Sequence, residues 1–420
     1  MTTKTLERLS PFFVNFNSAL TKTAAIAFIS FALIGCGGGG GGNEEYRETE
    51  VKFKVIAAGH HYYSLALSKG GKVYAAGRNN GGQLGLGDNN SRVIFTEVTS
   101  LNGKNIIAVS AGVGHSLALS SNGKVYAAGN NGDGQLGLGD NNDRATFTEV
   151  TSLNGKNITA VAAGAYHTIA LDDSGKVYAA GFNLYGQLGF GDNNNRAVFT
   201  EVTGLGAITA ISAGDDHSLA LDDNGKGYAT GRNNFGQLGT GSIYDQNVFT
   251  AFNGLINNQN ITAVAAGAYH TIALDDSGTV YTVGSGEYGR LGKGNTEIYH
   301  SFLQGGIGVK GLDDKNITAV SAGDDHSLAL DDNGKIYAAG RNGSGQIGLG
   351  GDITPRHNFT AVTTGLDDKN ITAISAGNHH SFALDDNGKI YATGNNAYGQ
   401  LGLGDNDSRV IFTEVSVFGN

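Results

Sequence analysis

Cysteine, tryptophan, methionine and proline are almost missing from this sequence. Its 420 residues include one cysteine, no tryptophan, one methionine and two prolines. The single cysteine, Cys36, excludes a disulfide bond within the chain and excludes cysteine-based zinc sites, which need at least two thiolates. A long hydrophobic run is also missing, because the apolar stretch Ala24–Ile34 is about half of the roughly 20 residues that a membrane-spanning helix needs.

Charge is scarce, and positive charge scarcer still. Charged residues make up 16% of the chain and the formal net charge is −10. Residues 1–35 carry +2, so the remainder carries −12. An acidic body repels a phosphate backbone, so we expect no nucleic-acid binding. The 68 glycines do not indicate disorder, because 40% of the residues are hydrophobic and available for a core.

The N-terminal segment is typical of an export signal. Basic residues precede a short apolar core that ends in small residues. The last four of these, Leu33-Ile34-Gly35-Cys36, resemble the lipobox of bacterial lipoproteins. The resemblance implies cleavage before Cys36, attachment of a diacylglycerol to its sulfur and acylation of the new N-terminus, with Gly37–Gly42 as a tether. The alternatives are a plain signal peptide, or a short buried helix with a chance cysteine.

These features predict a location and a division of the chain. Several acyl chains anchor stably, since each buried methylene contributes roughly 0.8 kcal/mol. We therefore expect a lipid-anchored protein of the bacterial cell envelope. Gly37 rather than Asp follows the cysteine, which implies the outer membrane if the organism is Gram-negative. Residues 1–35 are the predicted signal peptide, 36–50 the anchor cysteine with its glycine-rich tether, and 51–420 the folded domain.

The folded domain consists of seven copies of one pattern, A-G-x-x-H-[ST]-x-A-L. In the first copy Tyr63 takes the place of the histidine, and one extra residue follows Gly59. Every copy continues with G-[QR]-[LI]-G, and most close with Phe-Thr-Glu-Val or a relative. The fifth copy departs most, with Arg290 in place of glutamine. The repeated histidines are His115, His167, His217, His270, His326 and His380.

Each copy of about 52 residues predicts four short strands and no helix. Ile158–Ala163 and His167–Leu171 are rich in strand-forming residues, and an Asp-Asp-Ser-Gly turn follows before a returning strand. Four antiparallel strands repeated seven times indicate a β-propeller. A linear β-solenoid is the alternative, although its repeats are normally shorter.

The two signatures together resemble the regulator of chromosome condensation repeat, over about Val51 to Phe418. The resemblance implies an all-β fold, a seven-bladed β-propeller of four-stranded antiparallel blades. Ser91–Val98 and Ser408–Val415 share the sequence SRVIFTEV. We therefore expect the ring to be closed by pairing of N- and C-terminal strands in one shared blade, which removes a free sheet edge.

The repeated polar residues do not predict chemistry. A nucleophile needs one base in one pocket, whereas six equivalent histidine–hydroxyl pairs are spread around a ring. We expect these histidines to bond to backbone of the same or the next blade. The G-Q-L-G glycines lack the lysine and helix of a phosphate loop, and more plausibly let blades approach closely. The Asp-Asp turns lack the spacing of a calcium loop. We expect no catalytic residues, no cofactor and no metal site.

The loops fall on two faces if the strands run up and down. The Asp-Asp turns make one face acidic. The opposite face carries the two variable x positions, whose tyrosines, histidines and carboxylates are typical of a protein-binding surface. The alternation of tyrosine and paired aspartate is equally explained by duplication of copies three and four into five and six. The candidate partner-binding residues are His60, His61, Tyr62, Tyr166, Asp215, Asp216, Tyr269, Asp324, Asp325, Asn378 and His379.

Three functions are compatible with this sequence. The first is a non-enzymatic, lipid-anchored envelope protein whose loop faces bind an unidentified protein; we expect it to be monomeric. The second, implied by the family resemblance, is guanine-nucleotide exchange on a small GTPase. The export signal and the even spacing of the copies argue against it. The third is inhibition of a secreted enzyme, because a bacterial β-lactamase inhibitor has a similar propeller.

Overall fold

The computed structural model describes residues 51–302 and 308–416. The predicted signal peptide, Cys36 and the tether lie outside these residues. Within them, 27 strands form seven antiparallel sheets, and none of the helices is long and apolar enough to cross a membrane. The all-β, seven-bladed propeller is therefore confirmed.

Each sheet is built from strands that are consecutive in the chain. The first blade contains β1 (Phe53–Ala58), β2 (Tyr63–Ser68), β3 (Val73–Gly77) and β4 (Arg92–Glu97). The second contains β5 (Ile106–Ala111), β6 (His115–Ser120), β7 (Val125–Gly129) and β8 (Arg144–Glu149). The third contains β9 (Ile158–Ala163), β10 (His167–Asp172), β11 (Val177–Gly181) and β12 (Arg196–Glu201). The fourth contains β13 (Ile208–Ala213), β14 (His217–Asp222), β15 (Gly227–Gly231) and β16 (Gln246–Ala251).

The remaining blades follow the same plan, with one exception. The fifth is three-stranded, with β17 (Ile261–Ala266), β18 (His270–Asp275) and β19 (Val280–Gly284). The sixth contains β20 (Ile317–Ala322), β21 (His326–Asp331), β22 (Ile336–Gly340) and β23 (Arg356–Ala361). The seventh contains β24 (Ile371–Ala376), β25 (His380–Asp385), β26 (Ile390–Gly394) and β27 (Arg409–Glu414). Short 3-10 turns lie at Thr99–Leu101, Thr151–Leu153, Leu255–Asn258 and Glu287–Gly289.

The aspartate turns are part of the hairpins rather than a free acidic surface. In the third blade, Asp172 Oδ1 accepts the backbone N–H groups of Ser174 and Lys176, both at 2.9 Å. Tyr178 donates its hydroxyl to the other oxygen of Asp172 at 3.0 Å, and Gly175 completes the turn at φ 82°. The first aspartate of each such pair is buried. Only the second is exposed, so this face is less acidic than predicted.

The first strands of the blades surround the propeller axis, since each contacts the first strand of the next blade and β24 contacts β1. Small side chains allow this approach, and serines bridge the strands. Ser110 Oγ in β5, for example, accepts the backbone N–H of Ala163 in β9 at 3.0 Å. Larger apolar side chains fill the space between neighbouring sheets, so the buried clusters extend from blade to blade.

The G-Q-L-G glycines lie where neighbouring blades touch, as predicted. A Cβ added to Gly137 would lie 2.3 Å from the ring of Phe199, which belongs to the fourth strand of the next blade. The first glycine of the motif in the third blade, Gly186, has φ +81° and faces the backbone of Asn247 in the same way. Larger residues at these positions would separate the blades.

The predicted shared blade is wrong. β1–β4 form one complete sheet and β24–β27 form another, so the described residues exchange no strand at the closure. The seventh and first blades meet through the same glycine contact as other neighbouring blades: Gly402 faces Phe95 as Gly137 faces Phe199. A single bridge also joins Ile94 to Leu403. Outside the fifth blade, each blade has its own fourth strand, so the two SRVIFTEV segments are ordinary fourth strands of different blades.

The described residues of the fifth blade form no fourth strand, but residues 299–302 keep the packing role of that strand. Single bridges join Gly284 to Tyr299 and Thr240 to Ser301. Phe302 is buried and occupies the place against Gly239 that the Phe-Thr-Glu-Val phenylalanine takes elsewhere. This irregularity agrees with the departure of the fifth copy from the repeat pattern.

Two glycine substitutions separate the stability effect of close blade packing from that of a positive φ. Gly155 has φ +79° with nothing within 4 Å of an added Cβ, whereas Gly186 has nearly the same φ but a Cβ would lie 2.4 Å from Asn247 Cα. We expect Gly155→Ala to lower the free energy of unfolding by about 1 kcal/mol. Gly186→Ala should cost roughly 1–3 kcal/mol more. Urea unfolding of both variants measures the difference, and equal losses would contradict the assigned contact.

Candidate functional site

The repeated histidines form a ring of hydrogen bonds between neighbouring blades. His167 Nε2 lies 2.9 Å from the hydroxyl of Ser218 in the next blade. Ser218 in turn donates to the carbonyl of Gln187, in the G-Q-L-G motif of the histidine's own blade, at 2.8 Å. The same pair of bonds occurs at five further junctions, including His380 to Ser64, which closes the ring. In the first blade Tyr63 replaces the histidine and donates its hydroxyl to the carbonyl of His115.

These bonds determine the protonation state of the histidines. A carbonyl can only accept, so each hydroxyl gives its proton to the carbonyl and accepts a proton from Nε2. The imidazole is therefore the neutral Nε2–H tautomer. Its Nδ1 is buried without a hydrogen-bond partner among the described residues. The bonds run to a side chain of the next blade, rather than to backbone as predicted, and the basic Nδ1 of these six histidines is buried.

The loops opposite the aspartate turns form what we call the loop face. It consists of the connections from first to second strands and from third to fourth strands. The ion pair between Asp216 in one loop type and Arg232 in the other, at 3.2 Å, confirms that both lie on the same face. All eleven predicted partner-binding residues belong to the first loop type.

The first variable position of these loops faces the propeller axis. Asp215 from the fourth blade and Asp324 from the sixth both approach His60 from the first blade: their Oδ1 atoms lie 3.4 and 3.3 Å from His60 Nδ1. Side chains from blades so far apart in the ring can meet only over its centre. We call these three residues the axial cluster.

The extra residue of the first copy makes the axial cluster possible. Gly59 is followed by three residues before β2, where the other blades have two. Tyr62 takes the left-handed conformation at φ 60° to accommodate the longer loop. His60 is then 2% exposed, and its backbone N–H donates to the carbonyl of Gly112 at 3.1 Å.

The imidazole and the two carboxylates of the axial cluster are close enough to affect one another's pKa values. Burial alone would lower the pKa of His60, but the carboxylates of Asp215 and Asp324 outweigh it and raise the pKa to about 10. Burial and the nearby Asp215 raise the pKa of Asp324. Asp215 Oδ1 is buried yet makes no hydrogen bond in the described structure, because its contact with the imidazole lacks hydrogen-bond geometry.

The second variable position faces outward and meets arginines. Asp216 pairs with Arg232, whose guanidinium stacks 5.1 Å from the ring centre of Tyr185. Asp325 pairs with two arginines, Arg341 at 3.2 Å and Arg290 at 3.1 Å. The loop face therefore alternates acidic and basic groups instead of presenting free carboxylates.

Arg290 is a central residue that the sequence reasoning did not select. It is 1% exposed and stacks 5.5 Å from the ring of Tyr269 while it pairs with Asp325. Burial lowers its pKa, and the neighbouring Asp325 opposes that shift. In the other blades this position is a glutamine whose Oε1 accepts a backbone N–H of its own loop, as Gln187 does from Tyr185. The sequence feature that could have identified Arg290 is the replacement of glutamine by arginine in the fifth copy.

Aromatic side chains extend the face between the seventh and first blades. Tyr62 lies 5.1 Å from the ring of Tyr398 and 4.5 Å from that of His61. Arg78 stacks over Tyr398 at 5.6 Å, and His379 adjoins Tyr62 at 6.3 Å. The structure therefore brings together three predicted residues, His61, Tyr62 and His379, with two that were not predicted, Arg78 and Tyr398.

Of the remaining candidates, Tyr166 and Asn378 stand apart from these groups, whereas Tyr269 stacks with Arg290. Tyr166 is 43% exposed and meets Phe182 edge-on at 6.3 Å. Tyr269 contacts Phe235 at 5.5 Å. Asn378, at the first variable position of the seventh blade, has its Oδ1 buried without a hydrogen-bond partner among the described residues.

The buried histidine ring predicts a steep loss of stability in acid. Burial lowers the pKa of His167 to about 3, and that of the other five histidines is lowered in the same way. The unfolded chain binds these protons below pH about 6.5, so the free energy of unfolding falls as the pH drops towards the folded values, by about 1.4 kcal/mol per histidine and pH unit.

Urea unfolding between pH 7 and pH 5 measures this slope. His167→Gln is the matched variant, since its amide N–H can still donate to Ser218 but does not titrate. We expect its curve to be flatter than that of the unmodified protein by about 1.4 kcal/mol per pH unit. Parallel curves would contradict a neutral, buried His167.

Comparisons with known proteins agree with this architecture. Seven segments match the regulator of chromosome condensation (RCC1) repeat, at residues 70–119, 122–171, 174–221, 224–274, 277–330, 333–384 and 387–417. Each begins in the turn before the third strand of one blade and, in the six longer matches, ends in the second strand of the next. The repeat therefore spans the junction that the histidine–hydroxyl bonds hold together.

Individual relatives are similar over most of the chain. The ultraviolet-B receptor UVR8 of Arabidopsis thaliana is 33% identical over 354 residues, 83% of this chain and 66% of UVR8. The human E3 ubiquitin-protein ligase HERC2 is 35% identical over 358 residues, 83% of this chain and 7% of HERC2. The chain thus spans less than two thirds of these relatives.

Among solved structures, Prp20p of Saccharomyces cerevisiae, which binds Gsp1p and histones, has a TM-score of 0.71 at 22% identity, with 89% of each chain covered. That likeness supports the fold. The seven matched segments establish that this chain belongs to the regulator of chromosome condensation repeat family.

Proposed function

We propose that this chain is a non-enzymatic binding protein that engages a protein partner through its loop face. One observation carries the proposal. The groups that differ between copies, among them Tyr166, Asp216, Arg290 and Tyr398, gather on the loop face, whereas the repeated polar groups are bonded within and between blades.

The composition of the loop face fits protein recognition. Tyrosine and arginine are the residues that most often dominate binding energy in protein interfaces. Here they are held in place: Arg232 between Asp216 and Tyr185, and Arg341 between Asp325 and Tyr288. Such side chains lose little conformational freedom when a partner binds. Prp20p, a propeller of the same fold, binds Gsp1p and histones, and this supports the proposal.

The absence of enzymatic activity is part of the proposal. The six repeated histidines are neutral and give their only proton to a hydroxyl of the next blade. Catalysis by nucleophile and base needs a base that is free to accept a proton. The accepting nitrogen of each repeated histidine, Nδ1, is buried, and burial lowers the pKa of these imidazoles, so they are unsuited to this role.

We further propose that Cys36 carries a lipid anchor and holds the propeller at the cell envelope. The sequence supports this through the lipobox-like segment Leu33–Cys36 and the glycines that follow it. An envelope location favours a partner that is itself exported or embedded in the envelope. It disfavours a cytoplasmic GTPase.

A pull-down from solubilised envelope fractions tests the loop face. We expect the full chain to capture a partner. Tyr166→Ala, Tyr398→Ala and Asp216→Asn should each weaken binding of that partner, by about tenfold where a tyrosine is a binding hot spot. Asp223→Asn, on the exposed turn of the opposite face, is the charge-matched control. Equal capture by all variants would contradict binding through the loop face.

Metabolic labelling with a radioactive fatty acid tests the anchor. We expect label in the full chain and none in Cys36→Ala, because the sulfur of Cys36 is the predicted attachment point. The same variant should move from the membrane to the soluble fraction, while its melting temperature stays unchanged since Cys36 precedes the propeller. An unlabelled wild-type chain would refute the anchor.

A further inference from the structure

The axial cluster contains a carboxylate oxygen whose hydrogen-bonding needs are not met among the described residues. His60 Nδ1 lies between two carboxylate oxygens, Asp215 Oδ1 at 3.4 Å and Asp324 Oδ1 at 3.3 Å. One ring nitrogen carries at most one proton, so it can satisfy only one of them. Asp324 receives a hydrogen bond, and Asp215 Oδ1 remains buried without one in the described structure.

The arginines of the loop face do not resolve this shortage. Arg232 is directed to Asp216, and Arg290 to Asp325, so each pairs with the outward aspartate of a loop instead of the axial one. Two carboxylates thus face one imidazole over the propeller axis, and His60 is almost completely buried. A divalent cation between them would receive a lone pair from every one of the three atoms and would balance both negative charges.

The spacing of the three atoms fits such an ion. Tetrahedral zinc with bonds of about 2.0–2.2 Å to nitrogen and oxygen keeps neighbouring ligand atoms about 3.3–3.6 Å apart. The two measured nitrogen–oxygen distances are 3.3 and 3.4 Å, and all three ligand atoms lie within 4.8 Å of one another. A small movement of either aspartate would complete the triangle.

The ligand types favour a transition metal. Imidazole nitrogen is a preferred ligand of zinc, whereas calcium and magnesium take oxygen almost exclusively. Three protein ligands leave a fourth position open, as in zinc sites that also hold water or a ligand. We propose that His60, Asp215 and Asp324 form a divalent transition-metal site, with zinc as the preferred ion, over the axis on the loop face.

The proposal goes beyond protein binding and departs from the expectation that the sequence holds no metal site. That expectation rested on the missing cysteines and on the aspartate turns of the opposite face. It did not consider that the first copy's extra residue would bring a histidine between two aspartates from blades four and six. The site is independent of Cys36, which lies before the propeller in the chain.

Isothermal titration of the purified full chain with zinc chloride, after dialysis against a chelator, tests the site. We expect one zinc ion per chain. The Asp215→Asn and Asp324→Asn variants should bind at least about tenfold more weakly, because each replaces a charged ligand with a neutral one of the same shape. Asp223→Asn, on the exposed turn of the opposite face, is the charge-matched control and should bind as the wild type does, as should Cys36→Ala.

Cobalt substitution provides a second measurement on the same proteins. Bound in a tetrahedral site, cobalt gives visible absorption that the free ion lacks, and we expect this signal in the wild type and in Asp223→Asn but not in His60→Gln. Circular dichroism of each metal-free variant shows whether the propeller is folded. The proposal is overturned if the wild type binds no zinc, or if folded Asp215→Asn and Asp324→Asn bind zinc as tightly as it does.

Discussion

The bond from each buried imidazole to a hydroxyl of the next blade is the interaction on which this propeller depends. It joins the second strand of one blade to the second strand of its neighbour, and the hydroxyl returns to the G-Q-L-G loop of the first. Three elements of two blades are thereby held in one relative position. The glycines of the loop must then let the neighbouring fourth strand approach, as Gly137 does for Phe199. Because the closing junction repeats both contacts, His380 with Ser64 and Gly402 with Phe95, the ring closes without exchanging a strand.

This constraint divides the residues of each copy by their function. Histidine, hydroxyl and G-Q-L-G residues are committed to the junction, and the first aspartate of each turn is committed to its hairpin. What can vary without loss of the fold is the pair of residues between the glycine and the histidine of the first loop. These two positions are not equivalent: the first is directed over the axis, as in Asp215, and the second outward across the face, as in Asp216. A repeated scaffold therefore supplies seven inward and seven outward positions at no cost to its junctions.

Much of this could be predicted from the sequence because each blade is local. Strand alternation around His167 and the glycines near Gly186 follow from spacing alone, and seven copies give the number of blades. The features that the sequence did not predict correctly depend on contacts between distant copies. The identical SRVIFTEV segments indicated a shared blade, although each belongs to a complete sheet. The meeting of His60 with Asp215 and Asp324 depends on a left-handed Tyr62 and on residues more than a hundred positions apart. No period in the sequence encodes such a convergence.

Duplication and function are compatible explanations of the alternating loops. Ser212–Lys226 and Ser321–Lys335 are identical in sequence, and the structure gives them identical ion pairs, Asp216 with Arg232 and Asp325 with Arg341, both at 3.2 Å. Their surroundings differ only through residues outside the duplicated segments. Arg290 replaces the glutamine of the repeat and adds a second charge to Asp325 alone. His60, from the single longer loop, meets the axial aspartates of both copies at once. Copying thus supplied two equivalent aspartates, and one inserted residue and one substitution made their environments unique, so the departures from the repeat are where specific binding is to be sought.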